Sequence, residues 1–539
     1  MRNIHLVYTT VLIIAALQLE AAQLFVSPGG TENGAGTVTD PTTLGAAVLK
    51  VAAGDTIFMR GGTYTYNSRI LIERDNCGSE GKLKHIFAYN NEKPMLDFSD
   101  QPYTSSTSTN ERGIQLNAHY WHLRGLEVKG AADNGIFVGG NYNIVEYCIM
   151  QKNRDSGLQI SRYKSDITSS EWPSYNLVLN CESYDNWDKP PCSGENADGF
   201  ACKLTSGPGN EFRGCYSHNN IDDGWDMYTK DETGPIGTVV IDRCIASHNG
   251  TLSDGTTNEN GDRNGFKLGG AKIAVVHIVT RSVAFGNGKN GFTWNSNPGA
   301  IILANCLAFD NEEGNYKFGD NSTPTEAVFT NNLSFWNSTS NHQSDKRHGE
   351  DIQNTNCWWD KSKDPPSING KGLLVTAADF AAPLTNPTIK RLADGSLDFS
   401  VFKLATGSDL TDAGVVPAGN LPFNASNYYS GKPDLGAYEE GSTPVKQGQK
   451  NNDEKSSMTG FSLVSFNATT LILSAPLDKS CEVAIFSVNG KKVTDIPLIH
   501  VIKGNNVIQW NGYSVSGGTY LIRTTSNTGH YAMKGVLIK

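Results

Sequence analysis

The chain has 539 residues, of which 38% are hydrophobic and 56 are glycine, with a formal net charge of −10. This length suits one large domain plus a smaller one, and the glycine content suits a turn-rich β protein rather than a helix bundle. The acidic balance excludes the basic field of a nucleic-acid binder and requires any acidic substrate to be met by locally cationic groups.

The chain opens on "MRNIHLVYTTVLIIAALQLEAAQ", with Arg2 as a positive start, a largely apolar run over 6–19 and small residues at Ala21 and Ala22. This reads as a signal peptide over 1–22, and the protein is expected to be secreted or held at the cell surface. No later stretch reaches the ~18 apolar residues of a membrane span.

From residue 23 to 440 short strands alternate with Asn/Gly turns. Seven segments align: "YCIMQKN", "NCESYDN", "GCYSHNN", "RCIASHN", "RSVAFGN", "NCLAFDN" and "NNLSFWN". Their second position holds Cys148, Cys181, Cys215, Cys244, Ser282, Cys306 and Asn332. Five residues later stand Asn153, Asn186, Asn220, Asn249, Asn287, Asn311 and Asn337. Self-similarity at a variable period of tens of residues, built from strands about three residues long, predicts a right-handed parallel β-helix, an all-β solenoid. The asparagines are expected to stack as an interior ladder, each amide bonding to the next turn's backbone. The cysteines are expected to be buried and reduced, since stacked parallel strands orient such side chains alike rather than in disulfide geometry.

A second element follows most asparagines: "DSGLQI", "ADGFAC", "DDGWDM", "RNGFKL" and "KNGFTW". If the apolar residues of each Gly-Φ-x-Φ strand point inward, the outward column is Phe137, Gln159, Ala201, Asp226, Lys267 and Thr293. The residue before each glycine forms another column: Asn134, Ser156, Asp198, Asp223, Asn264 and Asn290. Two coils are long, with 42 residues from Gly157 to Gly199 and 41 from Gly224 to Gly265, and their excess is expected to leave the solenoid as loops walling a cleft.

Residues 441–457, "STPVKQGQKNNDEKSS" and its flanks, are polar and lack apolar periodicity, as a linker does. Residues 458–539 then alternate as strands, with "VNGKKV" as a hairpin turn, predicting a small β-sandwich. This module is similar to C-terminal sorting or anchoring modules of secreted enzymes. A carbohydrate-binding role is the alternative.

The columns bring Asp198, Asp222, Asp223 and Asp226 onto adjacent coils, with Lys267 one rung from Asp226. Four carboxylates this close repel one another, and an all-oxygen cluster is what Ca²⁺ prefers; no Cys/His spacing suggests zinc. A dication beside Lys267 is expected to lower its pKa and let the amine act as a general base. A cation and a base side by side fit β-elimination from a uronic acid polymer. The cation stabilises the charge that develops as the C5 proton leaves, and the C4–O bond then breaks to give a 4,5-unsaturated sugar.

"LFVSPGG", "GDTIFMRGGTY" and "KPMLDFS", then "NADGFACKL", "NNIDDGWDMY" and "NGFKLGG", and finally "KPDLGAYE", resemble polysaccharide lyase family 9 over roughly residues 24–440. The family comprises parallel β-helix pectate and rhamnogalacturonan lyases. The resemblance implies that Asp198, Asp222, Asp223 and Asp226 bind catalytic calcium and that Lys267 is the Brønsted base. It leaves open whether the acidic pectic substrate is homogalacturonan or rhamnogalacturonan I. Arg263 and Lys317 are candidate contacts for substrate carboxylates, and a monomer is expected. Two rival classes are a β-helix glycoside hydrolase, which would use Asp222 and Asp223 but has no need of Lys267, and a non-catalytic carbohydrate-binding solenoid.

Overall fold

The computed structural model describes residues 21–103, 111–190, 192–320, 324–338, 342–417, 421–423, 428–429, 431–440, 462–466, 470–475, 479–487, 491–501, 504–509, 518–526 and 529–537. The expected signal peptide, but for its last two residues, and the expected linker lie outside them. The chain divides into two compact units, residues 1–447 and 448–539. Among the described residues no helix is long and apolar enough to cross a membrane.

The first unit is a parallel β-helix of three sheets. Sheet I has ten strands, running from Ile70–Ile72 to Lys346–Arg347; sheet II has twelve, from Gln23–Thr31 to Glu350–Asp351; sheet III has ten, from Gly62–Thr65 to Leu333–Phe335. Each coil gives one strand to each sheet. The chain passes from Leu158–Ile160 in sheet I to Leu177–Leu179 in sheet II and Glu182–Tyr184 in sheet III, and re-enters sheet I at Phe200–Cys202.

The interior is built from columns. Aromatic residues stack ring on ring in one column, four of them directly after a repeated glycine: Phe200, Trp225, Phe266, Phe292 and then Tyr316 follow one another at centroid distances of 5.0, 4.7, 4.8 and 5.2 Å. The asparagine ladder runs beside them. Asn153, Asn186, Asn220, Asn249 and Asn287 each donate from Nδ2 to the Oδ1 of the next, over 2.7–2.9 Å. Each receiving Oδ1 also accepts the backbone N–H of the asparagine before it. The oxygen thus accepts a backbone N–H, and the nitrogen serves the next side chain and, at Asn220, Asn249 and Asn287, also donates to the main-chain carbonyls of Ser183, Ser217 and Ala246 on the preceding coil.

The repeated glycines make room for the polar interior. A Cβ at Gly157 would stand 2.0 Å from Ser183 Oγ and 2.8 Å from Asn186 Nδ2, and at Gly199 2.0 Å from Ser217 Oγ and 2.9 Å from Asn220 Nδ2. The seventh expected rung is wrong. Asn311 donates to Asn315 Oδ1 instead, and Asn337 bonds the carboxylate of Asp310 away from the ladder. The chain runs from Asn311 into a strand over Gly314–Phe318, whose register places Asn315 beside Gly291, where the stack needs its next amide.

Cys148, Cys181, Cys215, Cys244 and Cys306 are buried and free, and the thiols also donate weakly to main-chain carbonyls of the preceding coil, as Cys181 Sγ does to Val145 O. Burial pushes the thiols of Cys148, Cys181 and Cys215 well above their ordinary range, which keeps them inert.

A seven-residue helix, Leu44–Lys50, N-capped by Thr43, buries Leu44, Ala47 and Val48 against the first coils and closes that end of the core. Residues 375–413 and 435–437 cover part of the outer face of sheet III. There Val283, Phe285, Leu307, Phe309, Leu333 and Phe335 point outward and are buried by Phe380, Leu384, Phe399, Phe402 and Leu435.

The second unit holds two antiparallel sheets. One pairs Ser462–Phe466, Thr470–Ala475 and Gly504–Gln509. The other pairs Lys492–Val501, Lys479–Ser487, Gly518–Ser526 and Gly529–Leu537. The centre of the expected hairpin turn lies outside the described residues, but its flanking strands pair as a hairpin requires.

Candidate active site

Sheet I runs between two walls. On the side where its strands begin, the loops 185–199 and 248–265 are tied together: Ser253 bonds the Asp185 carboxylate, and Asn258 and Asn260 donate to Ser193 O. A small apolar cluster of Ala197, Ile221 and Leu252, with Trp187 against it, sits in the same region. On the side where the strands end, the segment 227–238 bonds the turn at Leu204 through Thr233 Oγ1. The excess residues of the long coils thus leave the solenoid as loops beside sheet I.

The outward column of sheet I is observed strand by strand. Phe137 pairs with Gln159, Gln159 with Ala201, Ala201 with Asp226, Asp226 with Lys267, and Lys267 with Thr293. The column before the glycines is equally ordered: Gly157 N donates to Asp198 O, Gly199 N to Asp223 O and Gly224 N to Asn264 O. Asp198, Asp222 and Asp223 each offer one oxygen within 4.8 Å of the others.

Each of them also accepts from protein donors. Asp198 Oδ2 accepts from Ser156 Oγ (2.9 Å) and Lys203 Nζ (2.6 Å), Asp222 Oδ1 from the backbone of Asp262, and Asp223 Oδ1 from the backbone and side chain of Asn264. Asp226 stands somewhat apart. Its Oδ1 accepts from Tyr228 N and its Oδ2 from Lys203 Nζ, 3.0 Å each.

Lys267 is buried rather than solvated. Its Nζ lies 3.1 Å from Asp223 Oδ2, 3.7 Å from Asp226 Oδ1 and 2.9 Å from Asp262 Oδ2. Asp262 also binds Lys289 Nζ at 3.1 Å. Burial, with mutual repulsion among the acids, pushes Asp198 and Asp223 up to about 7 despite Lys203 and Lys267, and holds Asp222 well above its ordinary range. Burial opposes the charge on Lys267, yet Asp223, Asp226, Asp222 and Asp262 together raise it well above the ordinary lysine value. The expected lowering is therefore not a property of the residues alone. Burial likewise opposes charge on Asp262, but Lys267 and Lys289 hold it below the ordinary carboxylate range.

Three buried carboxylates that cannot all keep their charge at neutral pH fit a hard dication bound through oxygen. Asp223 Oδ2 is buried and makes no hydrogen bond, its partner being the Lys267 ammonium at 3.1 Å.

Of the other expected contacts, Lys317 lies in the outward column two rungs beyond Lys267, through Thr293. The stem of Arg263 lies across Gly250 and Gly288, at the turn, and only its backbone N–H faces Asp222, at 3.4 Å. Lys203, Asp262 and Lys289 were missed by the sequence reading. Carrying the strand alternation one residue further in "GFACK" marks Lys203, and extending the pre-glycine comparison one residue back aligns Asp222, Arg263 and Lys289.

The sequence pattern of the Pel9A-like, right-handed β-helix region family matches residues 24–356. Pectate lyase L of Paenibacillus polymyxa (strain SC2) is 50% identical over 408 residues, covering 76% of this chain and 86% of that protein. Pectate lyase L of Dickeya chrysanthemi is 32% identical over 426 residues, covering 77% and 90%. The crystal structure of pectate lyase Pel9A superposes with a TM-score of 0.64 at 30% identity, over 78% of this chain and 97% of that one. A rhamnogalacturonan lyase shares the fold, with a TM-score of 0.59 at 23% identity, over 72% and 98%. With a right-handed β-helix, a repeat-borne acidic cluster and these relatives, the chain belongs to the Pel9A-like family, polysaccharide lyase family 9, and is a polysaccharide lyase.

Proposed function

We propose that this chain is a Ca²⁺-dependent pectate lyase that cleaves homogalacturonan by β-elimination, with Lys267 as base and Asp198, Asp222, Asp223 and Asp226 as the acidic cation site. The observation that carries this reading is the contact of Lys267 Nζ with Asp223 at 3.1 Å, beside the clustered oxygens of Asp198 and Asp222. The choice of homogalacturonan over rhamnogalacturonan I rests on the relatives named pectate lyase.

When bound, Ca²⁺ offsets the carboxylate charge and stabilises the enolate-like charge that develops at the substrate's C6 carboxylate. Lys267 Nζ takes the proton from C5, the C–H electrons form the C4–C5 double bond, and the C4–O4 bond breaks, O4 leaving to acquire a proton. Lys267 performs this role only as the free amine. The carboxylates that hold it charged must be compensated first, as the proposed cation site provides. The walls at 185–199 and 248–265 restrict water around a buried amine. Lys203 fixes Asp198 and Asp226 in place by bonding one oxygen of each.

In the same proposal, residues 1–22 direct export to the outside or surface of the cell, 23–440 form the catalytic domain, 441–457 link it to 458–539, and 458–539 serve sorting or anchoring. The active species is a monomer.

The test is incubation of the full chain with polygalacturonate and, separately, rhamnogalacturonan I, following ultraviolet absorbance of the unsaturated product with and without chelator. Absorbance on polygalacturonate that chelator abolishes and added Ca²⁺ restores supports the proposal. Reducing ends without absorbance, activity on rhamnogalacturonan I alone, or full activity after chelation overturns it.

A further inference from the structure

The outward column of sheet I does not end at the acidic cluster. Past Ala201, which is buried, it continues to Gln159 and Phe137, three and four rungs from Lys267. At ~4.8 Å per rung this is about 14–19 Å along the solenoid. Here the groove opens into a pocket of about 250 Å³, with Arg112, Arg162 and Lys230 among its walls and Phe137, Gln159 and Ser161 on its sheet side.

The pocket is built rather than incidental. The Arg112 guanidinium lies over the Phe137 ring, 3.3 Å from its centroid, and ion-pairs with Asp133 through a single contact at 3.6 Å. Its Nε is buried with no hydrogen bond. Gln159 is held between Asn134 and Ser161. The backbone of Arg162 bonds Thr205, and Lys230 sits on the segment that Thr233 ties to Leu204. Among the described residues Arg162 and Lys230 form no ion pair within 4.0 Å. Three cations face one cavity whose walls carry no carboxylate, in a chain of net charge −10. Such a cavity calls for an anionic ligand.

Resting on the lyase reading above, we infer that this pocket is a distal subsite that binds the carboxylate of a galacturonosyl residue three to four units from the scissile bond. A glycosyl residue is comparable in length to one rung of the solenoid, so a polyuronate lying along sheet I with its reacting residue at Lys267 reaches the pocket. The subsite favours long, unesterified runs, because an esterified residue there offers no charge to Arg162 and Lys230.

The test measures binding without turnover. In a full-length Lys267→Ala background with added Ca²⁺, titration calorimetry compares octagalacturonate binding by the parent, by Arg162→Gln/Lys230→Gln and by the charge-retaining Arg162→Lys/Lys230→Arg. Unchanged melting temperatures verify folding. The expected result is a loss of about tenfold or more in affinity for the Gln pair, with the charge-retaining pair within about threefold of the parent. Affinity within about twofold of the parent for the Gln pair, or equal loss in both pairs, overturns the subsite. Because binding is read without product formation, absence of unsaturated product from the wild type counts against the lyase reading and leaves the binding comparison standing.

Discussion

Lys267 is surrounded by carboxylates from three directions, and its behaviour follows from that company. Lys267→Ala removes the base and is expected to lower the initial rate of unsaturated-product formation by at least about 10²–10⁴-fold, with the fold retained when melting is measured in Ca²⁺. Lys267→Arg is expected to fail as well, because a guanidinium keeps its proton at any working pH. The aspartates give a second prediction, read from stability rather than activity. In the unfolded chain Asp198 and Asp223 lose their protons near the ordinary carboxylate value, whereas in the folded, metal-free protein they keep them up to about 7. The folded state thus binds more protons across this interval, so their contribution to stability is present below pH 4 and is lost as pH rises through about 7. The chelated protein is therefore expected to melt at a lower temperature at pH 8 than at pH 5. The rise in melting temperature on adding Ca²⁺ is expected to be larger at pH 8. An equal rise at both pH values would show that these carboxylates are not the ion's ligands.

At the scale of the element, the strands and turns repeat because stacking repeats. Asn249 is buried, donates to Asn287 and accepts from Asn220, so Asn249→Ala leaves partners in the core without hydrogen bonds. It is expected to destabilise the solenoid by about 2–4 kcal/mol in urea unfolding. Asn337→Ala, which removes only the side-chain bond to Asp310 off the ladder and keeps the backbone one, is expected to cost less than about 1 kcal/mol. Comparable losses would place Asn337 back in the stack. The cysteine column was legible for the same reason as the ladder, since equal offsets in stacked parallel strands point alike. Its weak bonds to carbonyls were not legible, because they depend on how close the preceding coil packs.

For the whole molecule, sheet I supplies the site's floor and the irregular segments make it a cleft. Every residue assigned to chemistry or to the distal pocket lies between Arg112 and Thr293, inside the first compact unit. A chain ending at residue 447 is accordingly expected to keep kcat/KM on soluble polygalacturonate within about threefold of the full chain, measured by product absorbance. The outer face of sheet III carries a whole-molecule lesson of a different kind. Segments such as "SVAF" and "CLAF" place an apolar residue on both faces of the strand, which in a solenoid signals a covered outer wall. The cover proved to be residues 375–413 and 435–437, where a Cβ at Gly436 would stand 2.8 Å from Leu333 Cδ1.

The sequence by itself determined the three columns on which the site depends: the asparagine ladder, the outward residue and the residue before the glycine. A parallel solenoid converts a repeated offset directly into spatial adjacency, so Asp226 had to meet Lys267 and Asp198 had to meet Asp223 once the repeat was aligned. The ladder's final rung at Asn315, the placing of Lys203 against Asp198 and Asp226, and the clasp of Asp262 on Lys267 were decided by the tertiary structure alone. Asn315 takes the strand position that a glycine holds in the preceding coils, and Lys203 and Asp262 lie where a strand ends or a loop leaves the coil. There no repeat constrains the backbone, and each side chain's partner is set by how neighbouring coils and loops pack.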